Sequence, residues 1–267
     1  MMIDMHHIIA DGTSLGVLIK DFIALYQGKE LPGLKLHYKD YAERETQGLG
    51  KLERQEAYWE KEFSGEIPVL ELPLDYGRPK VWTFEGDSIY FEIGSRELQE
   101  VRDLALKEGT TLYMVLMTVY NIFLWKLSGQ ETLVVGTPTA GRRHADLESI
   151  IGMFVNTLAL KNHPCGEKTF RQFLSEVKEK ALNAFTNQDY QYDALVEKVM
   201  HHREASRNPL FDTMFVLQNL DIPTIDTIDL KLRPYTYERN SAKFDLTLVC
   251  MEHPDRHRSI YEYTTRY

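Results

Sequence analysis

His6-His7-Ile8-Ile9-Ala10-Asp11-Gly12 is the stretch from which the rest of this chain can be read. Two histidines and an aspartate are set in a small, otherwise apolar run that ends on glycine. Upstream, Met2-Ile3-Asp4-Met5 reads as the end of a buried strand. Downstream, Thr13 or Ser14 can cap a helix from Leu15 to about Gln27, in which Leu15, Leu18, Ile19, Phe22, Ile23 and Tyr26 recur at the helical period. The histidines therefore fall where a strand gives way to a loop before a helix, a setting in which a rigid scaffold presents an exposed tip. Adjacent side chains on a strand point to opposite faces, so one histidine is expected packed and the other presented. A neutral imidazole suits general-base chemistry near pH 7. Asp11 can orient an imidazole, or hold the loop through a distant arginine. Gly12 lets backbone approach a ligand closely, and its N–H can face a developing oxyanion. Two adjacent histidines and one aspartate make a poor four-ligand metal set. On these residues alone, catalysis and simple packing remain open alternatives.

Composition narrows the class. The chain has 267 residues, 43% hydrophobic and 27% charged, which is ordinary globular composition for one large or two smaller domains. A net charge of −9 disfavours nucleic acid as a partner. No apolar run reaches membrane-spanning length, and the N-terminus lacks the basic and small-residue features of a secretory signal. Cys165 and Cys250 have neither metal nor redox spacing, so a reducing cytoplasm fits best. The chain opens in strand-like sequence, as if a longer domain had been cut there.

Further along, helical stretches are expected near His37–Glu45 and Lys51–Glu62, followed by a proline-rich connector over 68–83. Ser88–Ile93 alternates as a strand with Ile89, Phe91 and Ile93 on one face. Ser95 can cap a helix to Lys107, and Leu112–Leu127 is apolar nearly all round, as in a deeply buried helix. Strands are expected at Glu131–Gly136, Gly152–Leu160, Phe211–Gln218, Asp229–Pro234, Phe244–Glu252 and Ser259–Thr264. Between them lie a long amphipathic helix starting at Thr169 and a short one at Tyr192–Met200. Mixed helices and strands with a strand-rich end indicate an α/β layered domain.

Five stretches, in order, resemble the core motifs of the condensation domains of nonribosomal peptide synthetases. Met5-His6-His7-Ile8-Ile9-Ala10-Asp11-Gly12-Thr13-Ser14 resembles the active-site motif, and Tyr38-Lys39-Asp40-Tyr41-Ala42 the Tyr-x-Asp-[Phe/Tyr]-Ala motif. Gly152-Met153-Phe154-Val155-Asn156-Thr157 resembles Gly-x-Phe-Val-Asn-Thr. Asn187-Gln188-Asp189 resembles the Gln-Asp motif, with Gln191-Tyr192-Asp193 in place of the usual Pro-Phe-Glu. Arg203-Glu204-Ala205-Ser206-Arg207-Asn208-Pro209-Leu210 resembles the last motif. Two earlier motifs of the family are absent.

The resemblance implies a chloramphenicol acetyltransferase-like fold of two lobes. Residues 1–85 would supply the end of the N-terminal lobe, with the active-site loop and a connector, and residues 86–267 the C-terminal lobe. The chain would cover about the latter three-fifths of such a domain. It implies amide-bond formation between thioesters delivered on the 4'-phosphopantetheine arms of an upstream donor and a downstream acceptor carrier protein, beside an adenylation domain. The chain itself would bind no cofactor. Carried over by motif, His7 is the active-site histidine, with His6 and Gly12 beside it, and Asp11 is structural with Arg142 as its partner. Asn156, Asn187, Gln188 and Asn208 are orienting or structural residues. His7 would act as a proton acceptor or as a positioning group. An epimerisation domain of the same superfamily and a non-catalytic carrier-docking fragment are the competing readings.

Overall fold

Asp11, rather than Thr13 or Ser14, starts the first helix, α1 (Gly12–Tyr26): its carboxylate accepts the Ser14 N–H and so satisfies a first-turn donor. That cap changes the approach to the helix. Residues 3–6 form no strand and His7–Ile9 form a turn, so the expected alternation of His6 and His7 does not apply and both side chains are exposed. These observations come from a computed structural model that describes residues 3–47, 49–200, 204–218, 225–226, 231–232, 240–252 and 257–264.

The chain divides into two compact units. The first comprises 1–54, 140–156 and 219–237. It holds α1, α2 (Tyr38–Gln47), the start of α3 (Leu49–Glu62) and a short 3-10 turn at Ala145–Leu147. It also holds a two-residue antiparallel ladder in which Ile225 pairs with Leu232 and Asp226 with Lys231. That ladder is what the described residues contain of the strand expected at Asp229–Pro234. Its small core packs Leu147, Ile150 and Phe154 against Leu36, Tyr38 and Tyr41.

The second unit comprises 55–139, 157–218 and 238–267. Its six-stranded sheet is built from β1 (Gly86–Ile93), β2 (Leu133–Thr139), β3 (Asn156–Asn162), β4 (Thr213–Gln218), β7 (Leu246–Glu252) and β8 (His257–Thr264), in the order β1-β8-β7-β4-β2-β3. The two-residue strands of the first unit are β5 (Ile225–Asp226) and β6 (Lys231–Leu232). β4 runs parallel to both β2 and β7, whereas β8 is antiparallel to β7 and β1. The expected strand at Gly152–Leu160 begins only at Asn156; before it the Gly152 and Phe154 N–H groups bond the Ser14 hydroxyl and Asp11 instead of a strand. At the sheet edge β1 has a single neighbour among the described residues, and Ile89 and Phe91 are exposed rather than sharing a buried face.

The helices of this unit are α4 (Ser95–Lys107), α5 (Leu112–Ser128), α6 (Phe170–Thr186) and α7 (Tyr192–Val199). α6 follows its sequence closely: Thr169 forms a capping box with Gln172, and Phe173, Leu174, Val177, Ala181 and Ala184 are buried on one stripe. α4 is preceded by Gly94 with no side-chain cap, so Ser95 is its first residue and not its cap. α5 departs further from expectation. Met117, Tyr120 and Leu124 are fully buried, yet Val119, Phe123 and Leu127 are exposed, because only one side of the helix is covered by its neighbours. The main core joins α5 and α6 to the sheet through Val135, Leu158 and Phe215, with Trp59 also buried in it. No single helix among the described residues is long and apolar enough to cross a membrane.

Candidate active site

The histidine turn closes on itself. Ile9 N–H donates to the His6 carbonyl at 3.1 Å, and Ile8 N–H donates to His6 Nδ1 at 3.1 Å. Nδ1 of His6 thereby serves as an acceptor within the turn. His7 stands exposed beside Ile8, which is 70% exposed, and its side chain makes no hydrogen bond among the described residues. Burial begins abruptly at Ala10 and Asp11.

Asp11 is the anchor. Its side chain is 0% exposed and accepts from the Ser14 N–H at 2.7 Å, the Phe154 N–H at 3.1 Å and Arg142 Nη2 at 3.0 Å. Burial alone would raise its pKa, but these bonds, with the Ser14 hydroxyl's the foremost, outweigh it and hold the carboxyl below its ordinary value. Arg142 is equally enclosed. Nη1 donates to the Leu147 carbonyl and, at 2.7 Å, to the Ile150 carbonyl, and the guanidinium lies 4.1 Å from the Phe154 ring centroid. The expected partner of Asp11 is therefore in place, 3.0 Å away.

Three of the sequence motifs meet around this pair. The Tyr38 hydroxyl donates to the Met153 carbonyl at 2.8 Å, and its ring meets Phe154 edge-on at 5.2 Å. A Cβ on Gly152 would fall 2.1 Å from the Tyr38 ring, so only glycine fits there. Gly141 is more constrained still: its φ is +66°, and a Cβ would lie 1.9 Å from the Phe154 carbonyl oxygen. Glycine next to Arg142 thus lets the guanidinium reach into the loop. The first unit also contains a cavity of about 650 Å³ lined in part by Tyr38, Ile150, His37 and Leu34; neither His6 nor His7 lines it.

Gly12 is the first residue of α1. The other expected residues lie in different surroundings. Asn156 is buried at the start of β3. Asn187 caps the end of α6, and its carbonyl accepts the Trp59 indole N–H at 2.9 Å. Gln188 joins Thr139 Oγ1 and donates to the Phe185 carbonyl at 2.8 Å. Asn208 donates its backbone N–H to Asp212 Oδ1 at 3.3 Å and its side chain to the Lys243 carbonyl at 3.0 Å. Arg203 of the last motif lies outside the described residues. Asn187, Gln188 and Asn208 all belong to the second unit and do not join the Asp11 cluster within the first.

Two residues have roles that escaped the sequence reading. Ser14 enters that reading as a capping candidate and a motif residue with no role of its own, yet it is fully buried with its hydroxyl in the Asp11 cluster. Gln55 is buried and holds the chain after α6: its Oε1 accepts from the Asp189 and Tyr190 N–H groups, both at 3.0 Å, while Nε2 donates to Asp189. A buried glutamine three residues before Tyr58-Trp59 carries no motif, so its only signal was a polar residue on the apolar side of α3.

Comparison with known proteins adds the lineage. The condensation-domain profile matches residues 1–266. Tyrocidine synthase 3 of Brevibacillus parabrevis is 52% identical over 253 residues, covering 94% of this chain and 4% of that protein. Surfactin synthase subunit 1 of Bacillus subtilis (strain 168) is 48% identical over 267 residues, covering 99% of this chain and 7% of that protein. The chain thus spans only a small part of the length of these relatives. A four-domain nonribosomal peptide synthetase bound to AMP and glycine superposes with a TM-score of 0.87 at 24% identity, covering 98% of this chain and 21% of that one. The condensation domain from the monacolin K polyketide synthase superposes with a TM-score of 0.85 at 20% identity, covering 97% and 63% respectively. These likenesses establish the fold as that of condensation domains, the chloramphenicol acetyltransferase-like α/β architecture expected from the motifs.

Proposed function

The chain belongs to the condensation-domain family of nonribosomal peptide synthetases, and we propose that it forms an amide bond between two carrier-bound substrates. The α-amine of the acceptor's aminoacyl group attacks the thioester carbonyl of the donor's acyl or peptidyl group. A C–N bond forms, the C–S bond breaks, and the proton lost by the amine ends on the departing thiol. The substrates arrive on 4'-phosphopantetheine arms of an upstream donor and a downstream acceptor carrier, and an adenylation domain acts beside this one in the cytoplasm. Residues 1–85 are read as the end of one lobe and 86–267 as the other.

One observation carries this reading: His7 is exposed on a turn whose base is fixed by the wholly buried Asp11. An imidazole so placed accepts the amine proton or holds the amine in line. Proton transfer of this kind is worth about 10²–10⁴-fold, and alignment of two tethered substrates can be worth more, so both roles are energetically sufficient. His6 supports the turn through Nδ1. Gly12 offers its N–H, in the first turn of α1, to the developing oxyanion. Asp11 and Arg142 act through the position of His7, and Asn156, Asn187, Gln188 and Asn208 act through the shape of the loops they hold.

The test loads a donor and an acceptor carrier, adds this chain, and weighs the acceptor carrier by intact mass. Appearance of the dipeptidyl thioester, lost in His7→Ala, supports the reading. Carrier binding without product from the unaltered chain would assign it to docking alone and sink the proposal.

A further inference from the structure

We infer that Ser14 is a positioning residue for His7, tying the start of α1 to the 152–154 loop. The inference rests on the amide-forming reading only for what His7 does, not for how it is held.

Ser14 is 0% exposed, and it is the one buried residue of α1. Its hydroxyl stands 2.7 Å from Asp11 Oδ1, 2.8 Å from the Gly152 carbonyl, 3.0 Å from the Gly152 N–H and 2.9 Å from Arg142 Nη2. A hydroxyl has one proton to donate and two lone pairs to accept with. It therefore accepts from Gly152 N–H and Arg142 and gives its proton either to Asp11 or to the Gly152 carbonyl. Whichever acceptor takes that proton, the hydroxyl accepts the Gly152 N–H and so ties the first turn of α1 to the loop whose Phe154 N–H also reaches Asp11. An arginine–aspartate pair alone would fix a charge. It would not fix the angle of the helix against that loop.

The consequence reaches His7 through the chain. Asp11 and Ser14 sit on the first turn of α1, and the histidine turn closes between His6 and Ile9, immediately before Ala10. Any tilt of that first helical turn swings the imidazole tip. Removing the hydroxyl takes from Gly152 N–H its acceptor in the cluster, while Arg142 keeps Asp11 and the Leu147 and Ile150 carbonyls, so the 152–154 loop is the part that relaxes.

The experiment compares the unaltered chain with Ser14→Ala, Ser14→Cys and His7→Ala. It follows His7 ring resonances by NMR, hydrogen exchange at the Gly152 amide, and dipeptidyl-thioester turnover. In folded Ser14→Ala the account expects displaced His7 resonances and Gly152 exchange faster by about tenfold. It expects turnover lower by about 10- to 100-fold, with half-saturation by the carriers unchanged. Ser14→Cys, which keeps a weak donor and acceptor, should recover part of each. Unchanged His7 resonances and Gly152 exchange in folded Ser14→Ala would overturn the inference. If Ser14→Ala does not melt cooperatively, Ser14→Cys decides: intermediate values support the inference and wild-type values overturn it. Should the unaltered chain make no amide, the amide-forming proposal fails, while the NMR and exchange readouts still judge Ser14.

Discussion

Each of the two units buries an aspartate against an arginine, and the two pairs are electrostatically opposite. Asp11 faces one guanidinium and the Ser14 and Phe154 N–H groups, with the Ser14 hydroxyl beside it and no other carboxylate against it among the described residues, so its pKa falls. Asp212 also meets an arginine, with Arg207 Nη1 at 2.6 Å, and it accepts the Asn208 N–H. Yet burial raises its pKa, the nearby Asp245 raises it further, and Arg207 and Arg78 only partly offset them. Asp245 in turn pairs with Arg78, whose Nη1 also donates to the Ser206 carbonyl at 3.1 Å. An ion pair does not announce its own worth. What decides it is whether the remaining lone pairs are bonded, and whether a second like charge shares the site.

The largest expected effect follows from that contrast. Arg142→Ala strands a buried carboxylate and should cost about 3–5 kcal/mol in urea denaturation. Arg207→Ala should cost clearly less, because its side chain is 19% exposed and burial with Asp245 nearby raises the pKa of Asp212 despite the pair. Equal losses would erase the distinction. Gly141→Ala comes next. It forces a left-handed backbone onto alanine and drives a methyl into the Phe154 carbonyl, at an expected cost of about 1–3 kcal/mol or more, without touching any charge.

Acid titration separates the pairs by sign. The folded pKa of Asp11 lies below 3.8, so its stabilisation is full above that value and is lost as pH falls through the folded pKa. The folded pKa of Asp212 lies above 3.8, so its contribution is full below that value and is lost as pH rises through the folded pKa. Melting followed from about pH 7 to about pH 3 should therefore show a shallower acid loss in Asp11→Asn and a steeper one in Asp212→Asn. Parallel slopes would contradict the assignment. The smallest effect is Tyr38→Phe, which removes one hydrogen bond to Met153 while keeping the ring against Phe154; a loss of about 0.5–1.5 kcal/mol is expected by the same denaturation.

Legibility in the sequence followed the range of the physics. α6 was readable to the residue, because its capping box and apolar stripe are local. The two faces of α5 were not, since its composition is apolar all round and only neighbouring elements decide which face is covered. The strand expected over residues 2–5 does not form at 3–5, and Met2 lies outside the described residues; the chain turns at 7–9 instead, which brings both histidines out. Arg142 entered through family resemblance; no spacing rule links it to a partner 131 positions away. Ser14 is visible as a capping candidate and as the end of the active-site motif, but neither reading brings its hydroxyl to Gly152, 138 positions away. The charge cluster around Asp212 joins residues 78, 207, 212 and 245, which no local pattern could collect.

His7 reacts and the Asp11 clamp positions it, and one paired measurement tests that division of roles. Dipeptidyl-thioester formation is followed by intact mass in His7→Ala and Asp11→Asn, each corrected for its folded fraction. The prediction is that His7→Ala melts like the unaltered chain and makes no product, while Asp11→Asn loses stability and its folded fraction still makes product, more slowly than the unaltered chain. Product formed at the unaltered rate by folded His7→Ala would contradict it.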